Sequence, residues 1–256
     1  MRKAIFISDR RAESSDQGEV FVKFKIVSSP SLLISIISRV WLLILFTYKA
    51  PEIIHMLKND KWIVEQAQQG MMIVPFEEKS VRKAVLGAEQ LIPTISWGLS
   101  SYGYDIRLSP HDFRIFKHIP GTVIDPKKFN PKNLEQAELH SDEDGSSYFI
   151  IPANSYGLGA SLESIKMPPN VTAICLGKST YARVGVIANT TPLEASWQGE
   201  SITLEFSNAS SADVKIYANE GVVQLLFFEG EACDTTYADR GGKYQHQGSG
   251  VTLPKV

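Results

Sequence analysis

The chain has 256 residues, of which 43% are apolar and 21% charged, with a formal net charge of −2. That balance is ordinary for a folded globular chain. It excludes bulk electrostatic attraction to nucleic-acid polymers but not a small anionic ligand, which needs only a few local cations. Cys175 and Cys233 lie far apart and form no CxxC, which excludes a disulfide framework and a cysteine zinc site and reads as two reduced thiols of a cytoplasmic protein.

Residues 1–55 differ from the remainder. A polar opening, RRAESSDQGE, leads into the apolar run SLLISIISRVWLLILFT (31–47). As a membrane span this run is short. Arg39 in its middle would cost about 2.5–3.5 kcal/mol. No small-residue cleavage site follows, since the chain continues Tyr48-Lys49-Ala50-Pro51. The expectation is an atypical extension outside the native fold, with Met56 as the native start and no membrane partner.

From Met56 the character changes. Asp60 is placed to cap a helix over 61–69, with Trp62, Ile63, Gln66 and Ala67 on one side and Gly70 as its stop. Beyond it the pattern is short and β-like. SYGYDIRLS puts Tyr104, Ile106 and Leu108 on one face and Asp105 and Arg107 on the other. DFRIFK, SYFIIPA, YGLGASLE, VTAICLG, RVGVIAN, SITLEFSN, DVKIYAN and VVQLLFFE follow as strands, punctuated by Pro110, Pro126, Pro152, Pro168-Pro169, Gly199, Asn208 and Gly221. Many short strands with such punctuation predict a sandwich or barrel. The polar stretch 126–147 is expected as a surface loop, and the Gly- and Gln-rich tail from Tyr237 as a flap or arm.

Three clusters carry chemistry. Gly177-Lys178-Ser179-Thr180-Tyr181-Ala182-Arg183 places cations and hydroxyls together but lacks the leading glycine of a Walker loop. It reads either as a phosphate cradle or as a basic turn between strands. In Ser201–Asn208, alternation puts Ile202, Leu204 and Phe206 on one face and Thr203, Glu205 and Ser207 on the other. Glu205 is then either a partly desolvated acid–base group or a residue of a solvated sheet face. The tail segment 237–247, with Gly241-Gly242, Lys243, Tyr244, Gln245 and Gln247, reads as a closing flap or as a disordered polar tail. The five histidines form no ligand set, and there is no HxE paired with PCxxC, no GxSxG and no GxGxxG.

Taken in order, DKWI (60–63), ISWGLSSYGYDIRLS (95–109), GKSTYARVG (177–185), TPLEASWQG (191–199), TLEFSN (203–208), IYANEGVVQLLFFEG (216–230) and YADRGGKYQHQ (237–247) resemble the dCTP deaminase family, a branch of the trimeric dUTPase-like fold. The resemblance covers about residues 56–256. It implies a mainly β, distorted barrel or jelly-roll sandwich with a short N-terminal helix, assembled as a homotrimer with shared active sites. It also implies zinc-independent conversion of dCTP, bound as its Mg2+ complex, to dUTP and ammonia, supplying dUMP and dTTP synthesis. Glu205 matches the proton acceptor and donor, Ser179 the serine that helps hold the attacking water, and Arg183 the arginine near the reacting centre. Lys178, Thr180, Tyr181 and Ala182 complete the segment that meets the nucleotide. Thr203 and Leu204 line the base, while Gln224, Tyr237, Lys243 and Gln247 contact sugar or triphosphate. Glu194 stands where dUTPases carry a catalytic aspartate, which argues against the alternative, a bifunctional deaminase and dUTP diphosphatase giving dUMP.

Overall fold

The computed structural model describes residues 56–85 and 91–256. The expectations for residues 1–55 and their apolar run lie outside the described residues. Among the described residues no helix is long and apolar enough to cross a membrane.

The expected N-terminal helix spans Asp60–Gly70, with Ile63 and Ala67 buried. Its ends differ from expectation by one residue. Asn59, in extended conformation, is the N-cap, its side chain accepting from Trp62 N–H at 3.2 Å. Asp60 accepts only from its neighbour Lys61. At the other end Met71, at φ 50, takes the left-handed position expected of Gly70, and its N–H closes onto the Gln66 carbonyl. An N-cap oxygen satisfies an otherwise orphaned helix donor. Asn59→Ala is therefore expected to lower stability by about 1 kcal/mol in urea unfolding, with Asp60→Ala changing it by less.

Everything else is mainly β. The principal sheet has nine strands, its path running β10 (Val171–Gly177), β15 (Gly221–Glu229), β4 (Gly103–Phe116), β8 (Tyr156–Ser161), β13 (Thr203–Asn208) and β11 (Val186–Asn189). Branching from it are β2 (Val81–Val85), β3 (Leu91–Ser100) and β5 (Leu134–Gln136). Two three-stranded sheets flank it, β1 (Ile73–Val74) with β9 (Ser164–Lys166) and β12 (Gln198–Gly199), and β6 (His140–Ser141) with β7 (Ser147–Ile151) and β14 (Val214–Tyr217). All the strand pairs are antiparallel.

Two boundaries depart from the sequence reading. SYGYDIRLS and DFRIFK are one strand, β4, which passes through Pro110 instead of ending there. Proline is tolerated because the register against β8 shifts between Leu108 and Phe113, so no ladder donor is needed at that point. The stretch 126–147 is not a bare loop, for it carries a 3-10 turn at Pro131–Asn133 and the short strands β5 and β6.

The core forms where the alternating faces meet. Phe113 stacks on Phe149 at 5.0 Å and lies 5.3 Å from Phe206. Gly159 of β8 gives these rings room: a Cβ there would come within 2.7 Å of Leu108 Cδ1 and 2.9 Å of Phe113 Cδ2. Glycine on the inner face of β8 lets the aromatic layer close over it. That leaves Leu158 and Ala160 to face outward, where the candidate site lies.

Candidate active site

Strand β13 sets the site. Leu204 and Phe206 are wholly buried, which turns Thr203, Glu205 and Ser207 to the opposite face. Cross-strand register then chooses the neighbours of Glu205, which are Leu158 of β8 on one side and Asn189 of β11 on the other. Directly opposed side chains on one face stand about 4.5–5.5 Å apart. Leu158 belongs to a small apolar cluster with Ala160 and Val251, and Val251 is brought there by the tail. Glu205 is thus half-buried, and burial pushes its carboxyl above the ordinary value of 4.5. Its hydrogen bond is to Asn189, whose Nδ2 donates to Oε2 at 3.3 Å. Among the described residues no ion pair reaches it.

A second polar group lies on the face of β4 that alternation gives to Asp105 and Arg107. Asp105 is buried and accepts from Lys178 Nζ at 2.5 Å and, through its other oxygen, from Gln224 Nε2 at 3.0 Å. Lys178 also donates to Ser96 Oγ at 3.1 Å, and Gln224 to Ser100 Oγ at 3.0 Å. Arg107, two residues on, is bound by the fully buried Glu163 at 2.7 Å. Both faces of β4 are therefore covered, one by apolar side chains and one by ion pairs.

The cluster from Gly177 to Arg183 is the end of β10 followed by one helical turn, Ser179–Ala182. Ser179, Thr180, Ala182 and Arg183 are exposed there, and Arg183 Nη1 donates to the Ser179 carbonyl at 2.7 Å. Tyr181 departs from the expected substrate contact: its ring is in the core and its hydroxyl accepts from Tyr217 N–H at 2.9 Å. Leu204 departs in the same way. With its side chain on the core face it offers a base only its backbone. Alternation puts Leu204 on the face shared with Ile202 and Phe206, and it is the resemblance that puts Leu204 and Tyr181 at the ligand.

The tail is held more firmly than its composition predicts. Backbone and amide bonds anchor it along β12 and the start of β13: Trp197 Nε1 donates to the Tyr244 carbonyl at 3.0 Å, and His246 N–H to the Gln198 carbonyl at 2.8 Å. Gln247 Oε1 accepts from Thr203 N–H and Oγ1, each at 3.3 Å, so Thr203 and Gln247 do meet, one step along the strand face from Glu205. Tyr237 packs against the core with its hydroxyl accepting from Tyr244 N–H at 2.9 Å, and the Lys243 ammonium lies over the Tyr244 ring.

One chain thus unites Lys178 with Gln224 through Asp105, and Thr203 with Gln247. Among the described residues no hydrogen bond or ion pair joins Glu205 to Ser179 or Arg183. The helical turn enters β11 near Val186, which pairs with Asn208, whereas Glu205 pairs with Asn189 at the strand's far end, about 10 Å away at the rise of a strand. Asn189 and Asp105 carried no assigned role at the sequence level. Both become legible only through register. A pocket of about 610 Å³ between β4 and the tail is lined by Ser109, His111, Asp112, Glu200 and Gly250 and not by Glu205.

A mainly β scaffold whose strand β13 presents a half-buried carboxyl, Glu205, with no cationic partner among the described residues fits the class of acid–base enzymes. A family model described as dCTP deaminase-like matches residues 57–230, and the chain belongs to the dCTP deaminase family. Among relatives, a dCTP deaminase of Acinetobacter baylyi is 49% identical over 201 residues, covering 78% of this chain and 99% of that one. A dCTP deaminase of Leptothrix cholodnii is 50% identical with the same coverage. Of solved structures, the crystal structure of 2'-deoxycytidine 5'-triphosphate deaminase from Agrobacterium tumefaciens aligns with a TM-score of 0.40 at 16% identity, over 70% of this chain and 50% of that one. Native EIAV dUTPase aligns at 0.29 with 19% identity, over 37% and 83%.

Proposed function

We propose that Glu205 is the proton shuttle with which this dCTP deaminase hydrolyses dCTP to dUTP and ammonia. The observation that carries the reading is a half-buried carboxyl with a raised pKa and no ion-pair partner, at the position where TLEFSN matches the family. Water adds to the ring carbon bearing the amino group and gives a proton to Glu205. The carbon–nitrogen bond then breaks, and the amine departs as ammonia with the proton Glu205 returns. One carboxyl serves both steps because its pKa lies nearer the working pH than an ordinary glutamate's.

Ser179 would help hold the water, and Arg183 would stabilise charge developing on the ring. The lack of any hydrogen bond or ion pair from Ser179 or Arg183 to Glu205 among the described residues is in keeping with a site completed by a neighbouring copy. So are the exposed apolar side chains Ile174, Leu176, Val184 and Ile187 on and beside β10 and β11. A homotrimer with junctional sites fits both facts, and sedimentation at micromolar concentration tests it. Lys178 and Gln224 would meet the triphosphate, with Thr180, Tyr237, Lys243 and Gln247 around sugar and phosphates. Mg2+ enters as part of the substrate, held by the phosphate oxygens. The catalytic unit is read as residues 56–256 working in the cytoplasm, and 201 residues of this chain cover 99% of the Acinetobacter relative.

Glu194, half-exposed, pairs with Arg240, and its replacement of the dUTPase aspartate is what speaks against a diphosphatase. Incubation with dCTP and Mg2+ is expected to yield ammonia and dUTP in equal amounts without pyrophosphate. Pyrophosphate release would favour the bifunctional reading, and no ammonia would defeat both. Because Glu205 must be ionised to accept the proton, kcat is expected to fall on the acid side, with a limb above the ordinary glutamate value of 4.5. A pH–kcat profile checks this.

A further inference from the structure

We propose that Asn189 is a positioning residue for this reaction, aiming the Glu205 carboxylate at the water without altering its charge. The inference rests on the reading of Glu205 as the shuttle and deepens it.

Asn189 ends β11 directly opposite Glu205, so the register of two paired strands fixes its place. Its amide nitrogen faces Glu205 Oε2 at 3.3 Å. An ionised carboxylate only accepts, which sets the orientation of the amide: Nδ2 toward Glu205 and Oδ1 away. On the other flank Leu158 offers no polar atom. Among the described residues Asn189 is thus the side chain whose hydrogen bond can favour one rotamer of the Glu205 carboxyl.

An amide suits this post for a physical reason. A lysine there would form an ion pair, pull the carboxyl's pKa down and leave a poor base. An aspartate would repel the ionised form and leave a carboxyl that stays protonated. A neutral donor at the long end of hydrogen-bond distance does neither, and burial remains what sets the proton affinity. The carboxyl keeps a partner in both protonation states, because protonated glutamate still carries an acceptor oxygen. The other titratable groups near Glu205 do not interfere. Burial, with a contribution from the charge of Glu205, pushes Tyr156 and Cys175 each up to about 12, so neither ionises in the working range.

Steady-state kinetics of the full chain with MgdCTP test the idea, and Asn189 is exposed, so its variants are expected to fold. Asn189→Ala is expected to lower kcat about ten-fold or more, as a slightly misplaced catalytic group does. KM should stay within about three-fold and the acid limb of kcat unmoved, because only alignment is lost. Asn189→Asp is expected to move that limb to higher pH, and Asn189→Gln, which keeps the amide, to recover most of the rate. Wild-type kcat in Asn189→Ala, a loss confined to KM, or a glutamine variant as slow as the alanine one would each overturn the proposal. Glu205→Gln run alongside separates the two readings. If it is inactive while Asn189→Ala is fully active, only the positioning role falls. If both are fully active, the shuttle assignment falls with it.

Discussion

Glu205→Gln is expected to abolish turnover and leave a folded protein that still binds dCTP. Positioned acid–base groups contribute about 10²–10⁴ in rate. Glu205 would act in both halves of the reaction, so the upper end is expected, about 10⁴-fold in kcat, or about 5 kcal/mol of barrier. The amide is isosteric and still accepts from Asn189, so the strand face that meets the base is unchanged and dCTP affinity should hold within a few-fold. Stability gives an independent check. Burial raises the folded-state pKa of Glu205 above its unfolded value, so the native state holds this proton more tightly. Native stability therefore falls as pH rises from the ordinary carboxylate value through the raised one, and stays lower above it. Glutamine carries no such cost. The variant should be at least as stable as the wild-type chain at pH 7, and the difference should shrink below pH 4.5, the ordinary value. An inactive variant of this kind has lost chemistry and not structure. Turnover within ten-fold of wild type would remove Glu205 from the mechanism.

What could be read in the sequence is what depends on neighbours in the chain. The period of two in TLEFSN puts Leu204 and Phe206 inside and Glu205 outside, as found. VTAICLG is bounded by Pro169 and the lysine turn, and forms β10 over the expected residues. What could not be read depends on pairings between distant segments. Alternation gives Arg107 its face of the strand but not its partner, because Glu163 lies 56 residues further on. β5 hides in a polar stretch because only the far half of β4, through Arg114 to Phe116, gives it a ladder. The tail has no apolar period, yet Val251 and Gln247 are both buried, because amide and backbone bonds to β12 and β13 hold it. The same distinction runs through the site. Glu205 is visible in its own strand, whereas Asn189 is visible only once β11 and β13 are in register.

Asp105→Ala is expected to be the most damaging single change to stability among the polar residues of the site, through what it strands. Lys178 and Asp105 are almost wholly enclosed, their side chains 11% and 7% exposed. Removing the carboxylate leaves an ammonium held only by Ser96 Oγ, and an amide of Gln224 held only by Ser100 Oγ. The lysine cannot easily swing out. Its stem packs on Gly221, whose backbone passes so close to Ser96 that a Cβ there would come within 2.0 Å of the Ser96 carbonyl oxygen. Breaking a buried pair by deleting one partner costs about 3–5 kcal/mol, whereas replacing both charges by apolar groups is often close to neutral. Urea unfolding should therefore show about that loss for Asp105→Ala and recovery of most of it in Asp105→Ala/Lys178→Met. The pair also bears on substrate. In Asp105→Ala a bound triphosphate would supply the missing counter-charge to Lys178, so saturating MgdCTP should raise the melting temperature more in this variant than in the wild-type chain. An equal or smaller rise would place Lys178 away from the phosphates. A loss of less than about 1 kcal/mol, the range of exposed ion pairs, would mean the enclosed pair does not hold the strands around it.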